Sequence, residues 1–146
     1  MGPRIGAGTY LLTMSAAVNL YCVAAMGLYY YGLIPARITL STAAWTAAIL
    51  AALVAALFSY LTKRRLQDLN FPPIWATLMA FPLFAVILLP VLCFFTPVRV
   101  ANRFGRPPLP SGKLKVTAAL AGFILALILV PMVARLYAPL HLQEPL

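Results

Sequence analysis

The chain is 146 residues long, 64% hydrophobic and only 9% charged, with a net charge of +9 at pH 7. Soluble domains average about 45–50% apolar and about 25% charged residues, so this chain has too few polar side chains to cover a water-facing exterior. That excludes an ordinary soluble domain and points to an all-α integral membrane protein, one membrane domain over 1–146. At roughly 20 apolar residues per helical span, it has room for three to four transmembrane helices. Eleven Lys/Arg stand against Asp68 and Glu144. They flank apolar runs, where membrane topology places cations, so anionic lipid headgroups are expected as partners and nucleic acid is not.

The first apolar segment is 10–31. Its length exceeds the about 7–15 residues of a signal-peptide core, so it reads as a retained span. Gly6 stands where a myristoylation motif needs Ser or Thr. Tyr29, Tyr30 and Tyr31 form an interfacial belt, and Gly32 and Pro35 close the helix. Asn19 is the strongly polar side chain deep in this span, on one face with Ser15 and Cys22. Such a group turns inward to a partner; a bond to another helix is expected, with a transport or ligand role as the alternative. Cys22 and Cys93 sit in apolar runs without a ligand cluster and read as small hydrophobes.

The second segment, 38–61, carries two rows of small residues: Ala43, Ala47, Ala51, Ala55 and Ser59, and beside them Ala44, Ala48, Ala52 and Ala56. Small residues at every fourth position let helix backbones approach closely in lipid. Ala118, Gly122 and Ala126 repeat the spacing in the last segment, 116–134. These two helices are expected to pack, within one chain or between copies. Residues 62–70 read as a compact polar loop. The third apolar segment, 71–95, is interrupted by Pro82 and Pro90. Residues 96–115 form a basic, proline-rich loop. Its Arg106-Pro107-Pro108-Leu109-Pro110 string could serve an SH3-type partner but reads better as a stiff connector.

Arg64-Arg65-Leu66-x-Asp68, Trp75, Pro82, Thr96-Pro97 and Asn102-Arg103-Phe104-Gly105 follow one another over about 45 residues. In order and spacing this stretch resembles a small bacterial inner-membrane family, number 805 in the domain-of-unknown-function series. Gln67 stands where that family has His, against a proton-relay or metal role there. The chain also continues into an additional span. The resemblance implies a helical membrane fold and no reaction. It makes Arg64, Arg65, Asp68, Asn102, Arg103 and Gly105 motif residues, and Arg103 is expected to reach Asp68 across the two motif segments.

If 71–95 crosses once, the cations divide five to six: Arg4, Lys63, Arg64, Arg65 and Arg135 against Arg37, Arg99, Arg103, Arg106, Lys113 and Lys115. If 71–95 dips in and returns, only Arg37 and Arg135 lie opposite the other nine. Positive-inside topology requires an asymmetry, which favours the re-entrant hairpin with basic loops on the cytoplasmic side of the inner (plasma) membrane.

No enzymatic constellation is present: His141 is isolated near Glu144, and a cluster of acids, a phosphate loop and a nucleophile–base pair are missing. No cofactor is expected. Three function classes remain. The first is a scaffold or accessory subunit packing through Ala47, Ala51, Ala55 and Gly122, as a homo-oligomer or in a larger membrane complex. The second is a small transporter or channel using the Asn19 face. The third is an anionic-lipid-interacting protein using Lys63, Arg99, Arg106, Lys113 and Lys115.

Overall fold

The computed structural model describes residues 4–80, 84, 87–88, 91–93, 95, 101–102, 104–108 and 112–139. Three helices in it are long and apolar enough to cross a bilayer: Ala7–Leu33, Leu40–Asp68 and Lys113–Tyr137.

Helix α1, Ala7–Gly27, has apolar residues on all sides, the pattern of a span rather than of a soluble amphipathic helix. It widens into a π-helical turn, Leu28–Leu33, in which Ile34 N–H reaches back to the Tyr29 carbonyl at 3.0 Å. Pro35 then ends the helix. Ala36 takes a left-handed conformation at φ 53°, and Arg37 N–H closes on the Gly32 carbonyl at 2.9 Å. A Cβ at Gly32 would lie 2.5 Å from Ile38 Cδ1, so the turn folds onto the missing side chain.

Helix α2, Leu40–Asp68, starts at Thr39, whose hydroxyl accepts from Thr42 N–H at 3.2 Å, an ordinary N-cap. It does not stop with its apolar run at Leu61. The stretch expected to be a polar loop from Thr62 is helical through Asp68, because Thr62, Arg65 and Asp68 on one face of it are buried and partnered. The helix ends where Asn70 turns left-handed at φ 62°. Asn70 N–H bonds the Gln67 carbonyl and Phe71 N–H that of Leu66, at 3.3 and 2.9 Å, the paired closure of a Schellman motif.

The third apolar stretch opens with a 3₁₀ segment, Pro73–Ala80. It returns to the place it left. The Phe71 and Phe95 rings meet edge-to-face at 6.3 Å, whereas a straight helix of that length would hold its ends about 36 Å apart. A single straight crossing by 71–95 is therefore excluded, and among the described residues three helices are long and apolar enough to span. Pro82 and Pro90 lie outside the described residues.

Helix α3, Lys113–Tyr137, runs parallel to α1: Asn19 meets Gly122 midway, and the Tyr137 hydroxyl donates to the Ala25 carbonyl near the far end. Helix α2 is antiparallel to α1, with Tyr10 beside Thr62 and Ala24 near Leu50. The expected pairing of α2 with α3 is not how this chain packs. Gly122 turns toward α1, where Ser15 and Asn19 offer small and hydrogen-bonding groups. Leu50, Val54 and Leu57 of α2 line a cavity shared with Ala17, Leu20, Tyr21 and Ala24 of α1; along the alanine rows Ala43 is buried and Ala47 half-buried, and Ala44, Ala48, Ala51, Ala52, Ala55 and Ala56 are exposed.

Exposed Leu20, Ile49, Leu53, Ile124 and Leu127 form the outside of the bundle, as a lipid-facing surface requires. The buried apolar cluster lies at one end, where Tyr10, Met14, Leu61, Leu66, Leu69, Ala76 and Leu92 pack together.

Candidate functional site

Above that cluster sits a buried group of charges centred on Asp68. Arg4 donates from Nε and Nη2 to Asp68 Oδ1, at 3.1 and 2.9 Å. Arg65, one helical turn before Asp68, pairs with Oδ2 through Nη1. The Arg4, Arg65 and Asp68 side chains are all completely buried. One carboxylate faces two guanidiniums, and the remaining donors go to backbone oxygens. Arg4 reaches the carbonyls of Gly105 at 3.0 Å and Asp68 at 3.2 Å. Arg65 reaches those of Leu92 at 3.0 Å and Phe95 at 2.7 Å. The planar guanidinium fork suits such convergent acceptors, and cations beside the C-terminus of α2 complement its dipole.

The geometry explains why the segments fold together here. Arg65 captures the end of the returning apolar stretch. Arg4 captures a tight turn, Asn102–Gly105, whose first and last residues exchange backbone hydrogen bonds at 3.1 and 3.0 Å. Asn102 serves twice: its Oδ1 accepts from Phe104 N–H and its Nδ2 donates to the Gln67 carbonyl, both at 2.9 Å. Gly105 holds φ at +129°, a region that excludes most L side chains. One turn below, the Tyr10 and Thr62 hydroxyls share a hydrogen bond of 2.9 Å. Burial pushes the Cys93 thiol up, against a smaller downward pull from the Arg65 guanidinium.

Among the motif residues, Arg65, Asp68, Asn102 and Gly105 converge. Arg64 points away, its guanidinium 4.9 Å over the Tyr60 ring, with Nη2 donating to the Tyr60 hydroxyl at 2.6 Å. The proposed Arg103 partner of Asp68 lies outside the described residues, as does Arg99. Lys63, Arg106, Lys113 and Lys115 are exposed. Sequence reasoning missed Arg4, which is 64 residues from Asp68 in the chain. The signal was available in the scarcity of acids: a lone Asp among cations draws the nearest ones, including any brought close by antiparallel spans.

Within the bilayer, Asn19 Nδ2 donates to the Gly122 carbonyl at 3.0 Å, the inter-helix bond expected of it, while its buried Oδ1 has no partner among the described residues. The described residues contain no group of three or more His, Cys, Asp or Glu placed to hold a metal. Both oxygens of the Asp68 carboxylate are engaged by guanidiniums of the chain itself. What the cluster does is hold four segments on one face.

No curated protein and no solved structure matches the chain. Residues 3–106 match the family described as "Protein of unknown function (DUF805)", a range that includes every residue of the Asp68 cluster and stops short of α3. The chain thus belongs to the DUF805 family, with α3 lying beyond the matched region.

Proposed function

We propose that this protein is a scaffold or accessory subunit of the inner membrane, acting by lateral helix packing rather than by chemistry or transport. The observation that carries this reading is the open run of small residues on α2: Ala44, Ala48, Ala51, Ala52, Ala55 and Ala56 are exposed, while Ala43 is buried and Ala47 half-buried within the chain. A helix that only met lipid would have no need of two small-residue rows, which are the means by which membrane helices approach each other. The buried Asp68 ion pairs and the Asn19 Nδ2–Gly122 bond support the same reading, since these groups are spent on joining segments of the chain. The nine-to-two distribution of cations supports a cytoplasmic position for the Asp68 face.

The test is disulfide trapping in membranes. In a Cys22→Ala, Cys93→Ala background, Ala48→Cys and Ala52→Cys should cross-link to a neighbouring copy or another membrane polypeptide, whereas Ile124→Cys on exposed α3 should not. Absence of any cross-link from α2, together with ion or solute flux in proteoliposomes, would replace this reading with transport.

A further inference from the structure

A groove of about 720 Å³ opens between the end of α2 and the 3₁₀ segment, with Ser59, Tyr60 and Lys63 on one side and Pro73, Ile74 and Thr77 on the other. We propose that this groove binds one anionic diacyl phospholipid, its phosphate on Lys63 and its upper acyl chain along Ile74.

The level in the bilayer is right. Lys63 lies about 35 Å along α2 from Leu40, just beyond a hydrocarbon core of about 30 Å, and Tyr60 sits at the depth where aromatic rings anchor. Charge complementarity selects the lipid. Among the described residues the two ion pairs are both made by Asp68, so exposed Lys63 has no acid beside it, and its compact ammonium is suited to a phosphate. Arg64 adds a second positive charge and fixes Tyr60 by donating to its oxygen at 2.6 Å, which leaves the phenolic proton free to donate to a phosphate oxygen. The Ser59 and Thr77 hydroxyls spend their protons on the carbonyls of Ala55 and Ile74. Their oxygens are left as acceptors, matched to the hydroxyls of a glycerol headgroup. Pro72 and Pro73 stiffen the far wall, and Ile74, 71% exposed, presents apolar surface to an acyl chain.

The chain has two tryptophans. Trp75 belongs to the 3₁₀ segment, and Trp45 lies at the opposite end of α2. In a Trp45→Phe variant of the full chain, Trp75 therefore reports on the groove. In equimolar phosphatidylglycerol/phosphatidylcholine vesicles, brominated phosphatidylglycerol should be preferred over brominated phosphatidylcholine as a quencher by about fivefold, the scale of one cation at an anionic surface. Lys63→Gln should abolish the preference, Lys63→Arg should retain most of it, and Lys113→Gln with Lys115→Gln should leave it. Equal quenching by both lipids in the parent would overturn the proposal, as would a preference surviving Lys63→Gln. An equal loss in the Lys113/Lys115 variant would also overturn it, showing attraction to the surface as a whole.

Discussion

Four separate segments meet at Asp68: the N-terminal residues through Arg4, the end of α2, the return of the third apolar stretch through Arg65, and the Asn102–Gly105 turn through the Arg4–Gly105 bond. Removing one partner of a buried ion pair leaves an uncompensated charge and costs about 3–5 kcal/mol. Asp68→Asn should therefore lower thermal stability in detergent by that order, and Arg65→Gln nearly as much, whereas Lys63→Gln should be silent. At Gly105 an added Cβ meets no atom within 4 Å, so the penalty of Gly105→Ala is conformational, about 1–3 kcal/mol. Gly112, equally open but in ordinary extended backbone, is the control, and Gly112→Ala should stay within about 0.5 kcal/mol. Denaturation followed by circular dichroism in mild detergent reads both pairs. Of this cluster, the Arg65–Asp68 contact was legible because three-residue spacing puts both on one helix face. Arg4 was not, since only the antiparallel packing of α1 on α2 brings it there.

At the scale of elements, the close seam is between α1 and α3. A Cβ at Gly122 would stand 2.8 Å from Ser15 Oγ and 3.7 Å from Asn19 Nδ2, so Gly122→Ala must push the helices apart or displace the serine. Overpacking of this kind costs about 1–3 kcal/mol, and Ser15→Gly in the double variant should recover part of the loss. A sum of the two single effects, measured by thermal aggregation, would mean the contact is not tight. Ala52→Leu on the open face of α2 should leave the stability of the isolated chain within about 0.5 kcal/mol while reducing cross-linking from Ala48→Cys. The sequence marked Gly122 as a packing residue and Asn19 as an inter-helix hydrogen-bonding one, and within one chain Gly122 meets α1 rather than α2. Spacing tells which face of a helix is small, not which neighbour it meets, and α1 won because Asn19 needed a carbonyl that a glycine backbone could offer.

For the whole molecule, the account is one of three spans tied together on a single face. Apolar run length gave three to four spans, and the distribution of cations, a long-range constraint, favoured the return of 71–95. What could not be read was the closure itself, because Arg65 reaches Leu92 and Phe95 across about 30 residues with no periodic signal between them. Accessibility of single cysteines to a membrane-impermeant maleimide tests this most directly, in a background with Cys22 and Cys93 replaced by Ala. The fold requires Lys63→Cys and Gly112→Cys to share one accessibility in intact cells and Arg37→Cys to show the opposite one. Labelling of Lys63→Cys and Gly112→Cys from opposite sides would mean that 71–95 crosses the bilayer, and the single polar face built on Asp68 would fall with it.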